Sequence, residues 1–251
     1  MTGVLPVTLE ESRKVVEALL HSGKEYVCVM KLHGEAREEQ VKKVFEEFED
    51  VIYQRPPLRA SVKRQLRTRR IYYLDFLEIE GRNVLFKAGC EGGTYLRKLC
   101  YDMGEVLGCG AHMQELRRTR AGPFVEGGKD FVTLHDVAYW FMEWQEKKDE
   151  EILRRFIRPM ENALALVPKV YVRDSAVDAI CHGANLTAPG VLSLESGIGE
   201  GALVAVLTLK GEAVALCKAT VSTDDIFKME HGIVAETKRV LMLRGTYPKC
   251  W

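Results

Sequence analysis

Apolar and polar positions alternate with a period of two along Lys24–Leu32, which places Tyr26, Cys28, Met30 and Leu32 on one face and predicts a strand. Before it, Val15, Val16, Leu19 and Leu20 recur at helical spacing, and the pair Thr8 and Glu11 reads as a capping box opening that helix, which ends at Gly23. After it, Val41, Val44, Phe45 and Phe48 form the inward stripe of a second helix over Arg37–Glu49. Arg55-Pro56-Pro57-Leu58 is held extended by its prolines. Two strands, Arg69–Glu80 and Val84–Cys90, follow about the hairpin signal Gly81-Arg82-Asn83. Gly92-Gly93-Thr94 opens a helix carrying Leu96, Leu99, Cys100, Met103 and Leu107, and Ala111–Arg120 reads as a strand. Thr133 and Asp136 cap a helix through Trp140 and Trp144, and a charged helix over Asp149–Arg158 stops at Pro159. Beyond Pro168 the pattern changes to short strands, among them Ala202–Leu209 and Ala213–Ala219 about Lys210-Gly211-Glu212, with one helix near Ser175–Cys181. The reading is two domains, 1–167 and 168–251.

Composition narrows the class. The 251 residues are 47% hydrophobic and 29% charged, which excludes a disordered or collagen-like chain. No apolar run approaches the ~18 residues of a membrane span, and the first residues lack the basic and apolar regions of a secretory signal. A cytoplasmic globular protein is expected. The seven cysteines are scattered, with no C-x-x-C pair and no His at zinc-site spacing. They are expected to pack as reduced thiols, without disulfide or metal.

Basic and acidic residues balance at 36 each, so any polyanion must be met by local clustering. One cluster is pronounced: Arg55, Arg59, Lys63, Arg64, Arg67, Arg69 and Arg70 fall within sixteen residues that contain no acid. Such a strip suits a phosphate backbone, and equally a solvated face balanced by acids folded beside it. A second cluster, Arg117-Arg118-Thr119-Arg120, tips the balance towards nucleic acid. Gly92-Gly93-Thr94 could offer amides to an anion but lacks the Gly-Lys-Ser/Thr of a P-loop.

Five motifs then occur in order: Lys24-Glu25-Tyr26, Gln54-Arg55-Pro56-Pro57-Leu58, Ser61-Val62-Lys63-Arg64, Gly92-Gly93-Thr94-Tyr95-Leu96-Arg97 and Gln114-Glu115-Leu116-Arg117-Arg118. Together they resemble the TruB family of RNA pseudouridine synthases, in particular its dyskerin-type archaeal and eukaryotic branch, the catalytic subunits of H/ACA guide RNPs. After residue 168, Asp174-Ser175-Ala176-Val177, His182-Gly183-Ala184, Pro189-Gly190-Val191-Leu192, His231-Gly232-Ile233-Val234 and Thr246-Tyr247-Pro248 are similar to that branch's PUA domain.

The resemblance implies an α+β fold. It consists of a mixed, largely antiparallel synthase sheet with helices, followed by a β-barrel-like PUA domain. It implies isomerisation of uridine to pseudouridine in rRNA, with the tRNA T-loop uridine as a second substrate, and needs no metal or redox cofactor. Tyr26 would stack on the flipped base, Arg97 would hold the catalytic aspartate, and Leu116 would wall the uracil pocket. Lys63, Arg64, Arg67 and Arg69 would follow the RNA backbone. His182, Gly183, Ala184, Pro189 and Gly190 would meet the ACA end of a box H/ACA guide RNA. Small accessory proteins of the H/ACA particle are the further partners implied, and no membrane is.

The sequence departs from the family at its start. Met1-Thr2 directly precedes Gly3-Val4-Leu5-Pro6, and no aspartate occurs before Asp50. The family's catalytic aspartate and first strands are therefore expected to be absent, leaving a ragged sheet edge and a chain that by itself turns nothing over. A non-catalytic RNA-binding scaffold is the alternative.

Overall fold

The computed structural model describes residues 2–56, 63–128 and 131–250. The extended reading at Pro57-Leu58 and the basic Arg59 fall outside them, as do Ser61 and Val62. In chain order the elements are β1 (Thr2–Gly3), α1 (Val16–His21), β2 (Lys24–Leu32), α2 (Glu38–Phe48), β3 (Asp50–Gln54) and β4 (Arg67–Glu80). Then come β5 (Asn83–Cys90), α3 (Leu96–Val106), β6 (Ala111–Ala121), β7 (Phe124–Val125), α4 (Leu134–Lys147) and α5 (Glu151–Arg154). The remainder comprises β8 (Lys169–Val172), α6 (Asp174–Cys181), β9 (Leu186–Thr187), β10 (Val191–Leu194), β11 (Leu203–Thr208), β12 (Ala213–Ala219), α7 (Thr223–Ile226) and β13 (Ile233–Val240).

Two compact units result. One holds Leu20–Phe156 with the first residues through Pro6, and the other holds the chain from Ile157 with Val7–Leu19. The first unit is built on a sheet of order β1-β6-β2-β5-β4-β3, with β7 paired to β6. All its ladders are antiparallel except β1 with β6. Cys28, Met30 and Leu32 of β2 are buried with Phe86 of β5 under the apolar stripes of α2 (Val41, Val44, Phe45) and α3 (Leu96, Leu99, Cys100, Met103). Phe45 meets Phe86 edge-on at 5.1 Å between ring centres, the geometry aromatic quadrupoles favour. On its outer side β6 pairs only at Arg117–Arg118 with β1 and at Arg120–Ala121 with β7. Ala111–Leu116 has no strand partner there among the described residues.

The second unit is a six-stranded sheet of order β10-β8-β11-β12-β13-β9, mixed because β11 runs parallel to β8. Its central strands are buried on both faces, and Val170, Val206, Val214, Cys217 and Val234 belong to one core with Val177 and Ile180 of α6. Five of the seven cysteines are buried in these two cores, as packing thiols are.

Three local readings are corrected. The capping box at Thr8 does not form: Glu11 pairs with Lys14 at 2.7 Å, Leu9 is the cap, and Glu10–Val15 winds as a 3₁₀ turn before α1 begins at Val16. The charged helix over 149–158 shrinks to Glu151–Arg154, which buries no residue and so has no apolar anchor for further turns. Asp50–Gln54, unread as a strand, pairs with Arg67–Ile71 and forms the sheet's far edge. The capping box at Thr133 is present, with the Asp136 amide donating to Thr133 Oγ1 and the Thr133 amide donating to Asp136 Oδ2.

One buried carboxylate ties four strands together. Glu25 of β2 accepts from the Tyr73 hydroxyl of β4, from Thr119 Oγ1 of β6 at 2.7 Å and from Lys87 Nζ of β5 at 3.0 Å. Tyr73 reaches it by lying across Gly89, where a Cβ would come within 2.3 Å of its ring, so only glycine fits. Burial alone would raise the Glu25 carboxyl. The hydrogen bonds from Tyr73, Thr119 and Lys87, with the Lys87 charge, outweigh it and hold the group below its usual range. Glu25→Ala should therefore cost about 2–4 kcal/mol by stranding its partners. Because the folded-state pKa is depressed, the carboxylate's stabilisation is present above its unfolded pKa of ~4.3 and lost as pH falls through the folded value. Urea unfolding of the wild type and Glu25→Gln between neutral and acid pH should show the two curves converging at the acid end.

Candidate active site and RNA-binding face

The register of β2 with β6 sets Tyr26 opposite Arg118 and Cys28 opposite Leu116, while Ala88 of β5 flanks Tyr26 on its other side. Side chains alternate along a strand, so Lys24, Tyr26 and Cys28 share one face and Glu25 occupies the other. Tyr26 and Leu116, both half-buried, pack against the first unit's core on that face. The structure thus brings these two expected site residues together, and adds Arg118 between them and the chain's start.

The sequence offers Arg118 only as a member of the Arg117-Arg118-Thr119-Arg120 cluster, and the strand register reveals its place beside Tyr26. Its Nε donates to the Val4 carbonyl at 2.6 Å, and the Val4 amide donates back to the Arg118 carbonyl at 2.8 Å. Gly3 makes the approach feasible: its φ is +101°, and a Cβ would sit 2.1 Å from the Arg118 carbonyl oxygen. The same guanidinium lies close enough to the Tyr26 phenol to act on its proton equilibrium. Burial pushes that phenol up and the Cys90 thiol adds to this, while Arg118 pulls it back. Lys24 is the face's second cation. Its Nζ donates to the Leu20 and Ser22 carbonyls at 2.8 and 2.6 Å, and burial followed by the nearby Arg118 charge lowers its pKa. The face presents a neutral aromatic ring, an apolar wall and two cations. Such a surface suits a planar base attached to an anionic backbone.

Arg97 is the second residue of α3 and is exposed, with no hydrogen bond or ion pair among the described residues. One turn further on, Cys100 Sγ lies 3.7 Å from Cys28 Sγ, which fixes α3 over the strand that carries Tyr26. The carboxylates close in sequence to these residues are engaged elsewhere: Glu25 in its four-strand network, and Asp102 with Lys98.

The basic strip divides in two. Arg70 forks onto Asp50 through two nitrogens, each at 2.8 Å, and Arg69 sits against the Gly93 backbone with Glu91 at 3.6 Å. These two are partly neutralised. Lys63, Arg64 and Arg67 form no ion pair among the described residues. Arg64 donates to the Pro56 carbonyl at 3.3 Å and Arg67 to the Lys63 carbonyl at 3.4 Å, leaving their charges uncompensated. In the second cluster, Arg117 is bound by Glu126 through two oxygens.

In the second unit, His182 ends α6, with its ring nitrogen 2.8 Å from the Asp178 carbonyl. With Gly183 it lines a cleft of about 340 Å³ that also holds Lys14, Met242 and Arg244. The Ala184 carbonyl accepts from Thr237 Oγ1 at 2.7 Å. Pro189 and Gly190 lie at the other end of α6, where they accept from the side chain and backbone of Arg173 at 3.1 and 3.0 Å. An eight-residue helix spans about 12 Å, so the two loops lie well apart.

Comparison with known proteins identifies the architecture. Residues 97–165 match the C-terminal domain family of tRNA pseudouridylate synthase B, and residues 168–241 match the PUA domain. A probable tRNA pseudouridine synthase B of Methanopyrus kandleri is 56% identical over all 251 residues, which cover 74% of that protein. A homologue of the same description from Pyrococcus abyssi is 52% identical, with 75% of its length covered. Among solved structures, Cbf5 in complex with Nop10 and Gar1 superposes with a TM-score of 0.94 at 51% identity, over 98% of this chain and 75% of that one. An H/ACA RNP bound to a substrate RNA containing 2′-deoxyuridine gives 0.89 at 48% identity, over 99% and 75%. A synthase sheet followed by a PUA domain defines the class, that of an RNA-modifying isomerase with an appended RNA-binding module. The chain belongs to the TruB family of pseudouridine synthases and is similar to the archaeal Cbf5 proteins.

Arg118→Met should raise the Tyr26 phenol further by removing the charge that opposes its burial. Titration of ¹³C-labelled tyrosine by NMR reads this, and an unmoved Tyr26 signal would show that the guanidinium does not govern the ring.

Proposed function

We propose that the chain carries the base-binding and guide-binding parts of an H/ACA-type pseudouridine synthase that isomerises guided uridines in rRNA, with the tRNA T-loop uridine as a second substrate. The observation that carries this is the β2–β6 face, with Tyr26, Leu116 and Arg118 side by side in a chain 56% identical throughout to a probable synthase. Box H/ACA guide RNA and small accessory proteins are its partners in this reading, as the solved complexes of its relatives suggest.

The reaction is an isomerisation. The bond from ribose C1′ to uracil N1 breaks, the uracil turns, C5 bonds to C1′, and the C5 proton is lost as N1 gains one. Atoms and charge balance with no cofactor. In this reading, Tyr26 stacks on the flipped uracil and offsets its lost stacking, worth about 1–3 kcal/mol. Leu116 limits how far the detached ring can turn. Arg97, exposed and without an ion pair among the described residues, holds the family's aspartate, which acts at the ribose. Lys63, Arg64 and Arg67 follow the RNA backbone, with Arg69 beside the α3 start. His182, Gly183 and Ala184 form one guide contact, and Pro189 with Gly190 a second.

A scaffold role is the second reading, favoured by one observation: neither Tyr26 nor Arg97 has a carboxylate partner among the described residues. The two readings part in one assay. These 251 residues alone should form no pseudouridine, whereas the same residues joined to the leading segment of their longer relatives, with guide RNA, should do so and lose it on Tyr26→Ala. Turnover by the 251 residues alone would mean another group is the catalyst, and no turnover by the extended protein would leave the scaffold.

RNA affinity should fall steeply with salt, because several phosphates are neutralised. Charge reversal at Arg64 and Arg67 should weaken binding and flatten the log–log salt slope by about 1 for each phosphate that is no longer neutralised. A slope unchanged in the double variant would mark the strip as a solvated face only.

A further inference from the structure

Gln54 is buried to 2% exposure, a polar side chain at the inward end of β3 where the alternation from Ile52 calls for an apolar one. Its amide makes a matched pair of hydrogen bonds to a single residue 41 positions away: Oε1 accepts from the Tyr95 amide at 3.0 Å, and Nε2 donates to the Tyr95 carbonyl at 3.2 Å. Tyr95 is the cap of α3, and no side chain of its own segment caps that end. The Tyr95 carbonyl also takes the first helical amides, from Lys98 and Leu99, both at 3.0 Å. Gln54 therefore satisfies the cap residue's own amide from a distant strand and holds both backbone groups of the residue from which the helix starts. Arg97 stands two residues beyond that grip.

We propose that Gln54 is a positioning residue for pseudouridine formation, setting the first turn of α3 and through it the aim of the Arg97 guanidinium. The inference rests on the role proposed for Arg97 above. A primary amide suits the task because it accepts from the Tyr95 amide and donates to the Tyr95 carbonyl at once. A glutamate would accept from the amide but repel the carbonyl, and a methionine of similar length would leave the Tyr95 amide without this acceptor and the carbonyl with its helical amides alone. The clamp also joins two functional segments. Gln54 directly precedes Arg55 and Pro56, where the basic strip begins, so the strand that leads into that strip also holds the helix that carries Arg97.

The test uses the assembled particle: the chain with its relatives' leading segment, accessory proteins and guide RNA. Single-turnover pseudouridine formation is measured alongside substrate RNA affinity. Gln54→Met should slow the reaction about 10- to 100-fold, the scale of a misaimed catalytic group, while RNA affinity stays within about threefold. Gln54→Glu should slow it in the same direction, and serves if the methionine variant does not fold. The deciding variant is the double one. If Gln54 acts through Arg97, Gln54→Met/Arg97→Ala is no slower than Arg97→Ala alone; if the two effects multiply, the proposal is overturned. A loss confined to RNA affinity would overturn it as well. Hydrogen exchange at Tyr95–Arg97 in the 251-residue chain gives a readout independent of turnover. Gln54→Met should accelerate it, and unchanged exchange would refute the clamp. An unsubstituted particle that forms no pseudouridine would instead sink the proposed function, and the clamp would then stand or fall on the exchange result.

Discussion

The pairing of β2 with β6 is the constraint on which the site depends. Strand side chains alternate, so a slip of one residue would turn Tyr26 onto the face that Glu25 now occupies and bring a tyrosine into a network built for a carboxylate. The slip is opposed from both sides of the sheet. On one face Glu25 can be satisfied only where Tyr73, Thr119 and Lys87 converge, and on the other Cys28 must meet the Cys100 side of α3. Two bulges between β2 and β6, near Tyr26 and Val29, are absorbed within this register and bring Arg118, rather than its neighbours, opposite the tyrosine.

Charge is sorted by the fold, not by composition. A chain with equal numbers of acids and bases leaves some cations compensated and others bare. Asp50 takes Arg70, Glu91 approaches Arg69 and Glu126 takes Arg117, while Lys63, Arg64 and Arg67 meet no acid among the described residues. The alternative of a strip balanced by folded acids thus holds for Arg69 and Arg70 and does not hold, among the described residues, for Lys63, Arg64 and Arg67. A phosphate backbone would meet the uncompensated stretch without displacing any acid, which lowers the desolvation cost of contact.

Much of the scaffold is legible in the sequence, because its elements carry strong periodicity. β2, α2, β5, α3 and β6 fall within a few residues of their predicted bounds. The failures have local causes. Asp50–Gln54 has a buried Gln54 where an inward apolar residue would complete the alternation, so it does not read as a strand. That same irregularity, a glutamine on an inward position, is the signal that could have revealed the clamp on Tyr95. The 3₁₀ turn at Glu10–Val15 arises because Glu11 prefers Lys14, a choice between two short-range partners that spacing leaves open. Arg118 could not be found by pattern. It stands among four consecutive polar residues, and its role comes from a tyrosine 92 positions away and from the Val4 carbonyl. The roles proposed for Tyr26, Arg97 and Leu116 rest on family resemblance, since each by itself reads as an ordinary core or surface residue.

The central claim is that the β2–β6 face receives the target base on Tyr26. Photo-crosslinking tests it most directly: a substrate RNA carrying 4-thiouridine at the target position is irradiated in the assembled particle, and the attached peptides are identified by mass spectrometry. The account predicts a crosslink to the peptide containing Tyr26, with Leu116–Arg118 as the second site, and its loss when the guide RNA is omitted. A guide-dependent crosslink that leaves both peptides unlabelled and falls elsewhere would contradict it.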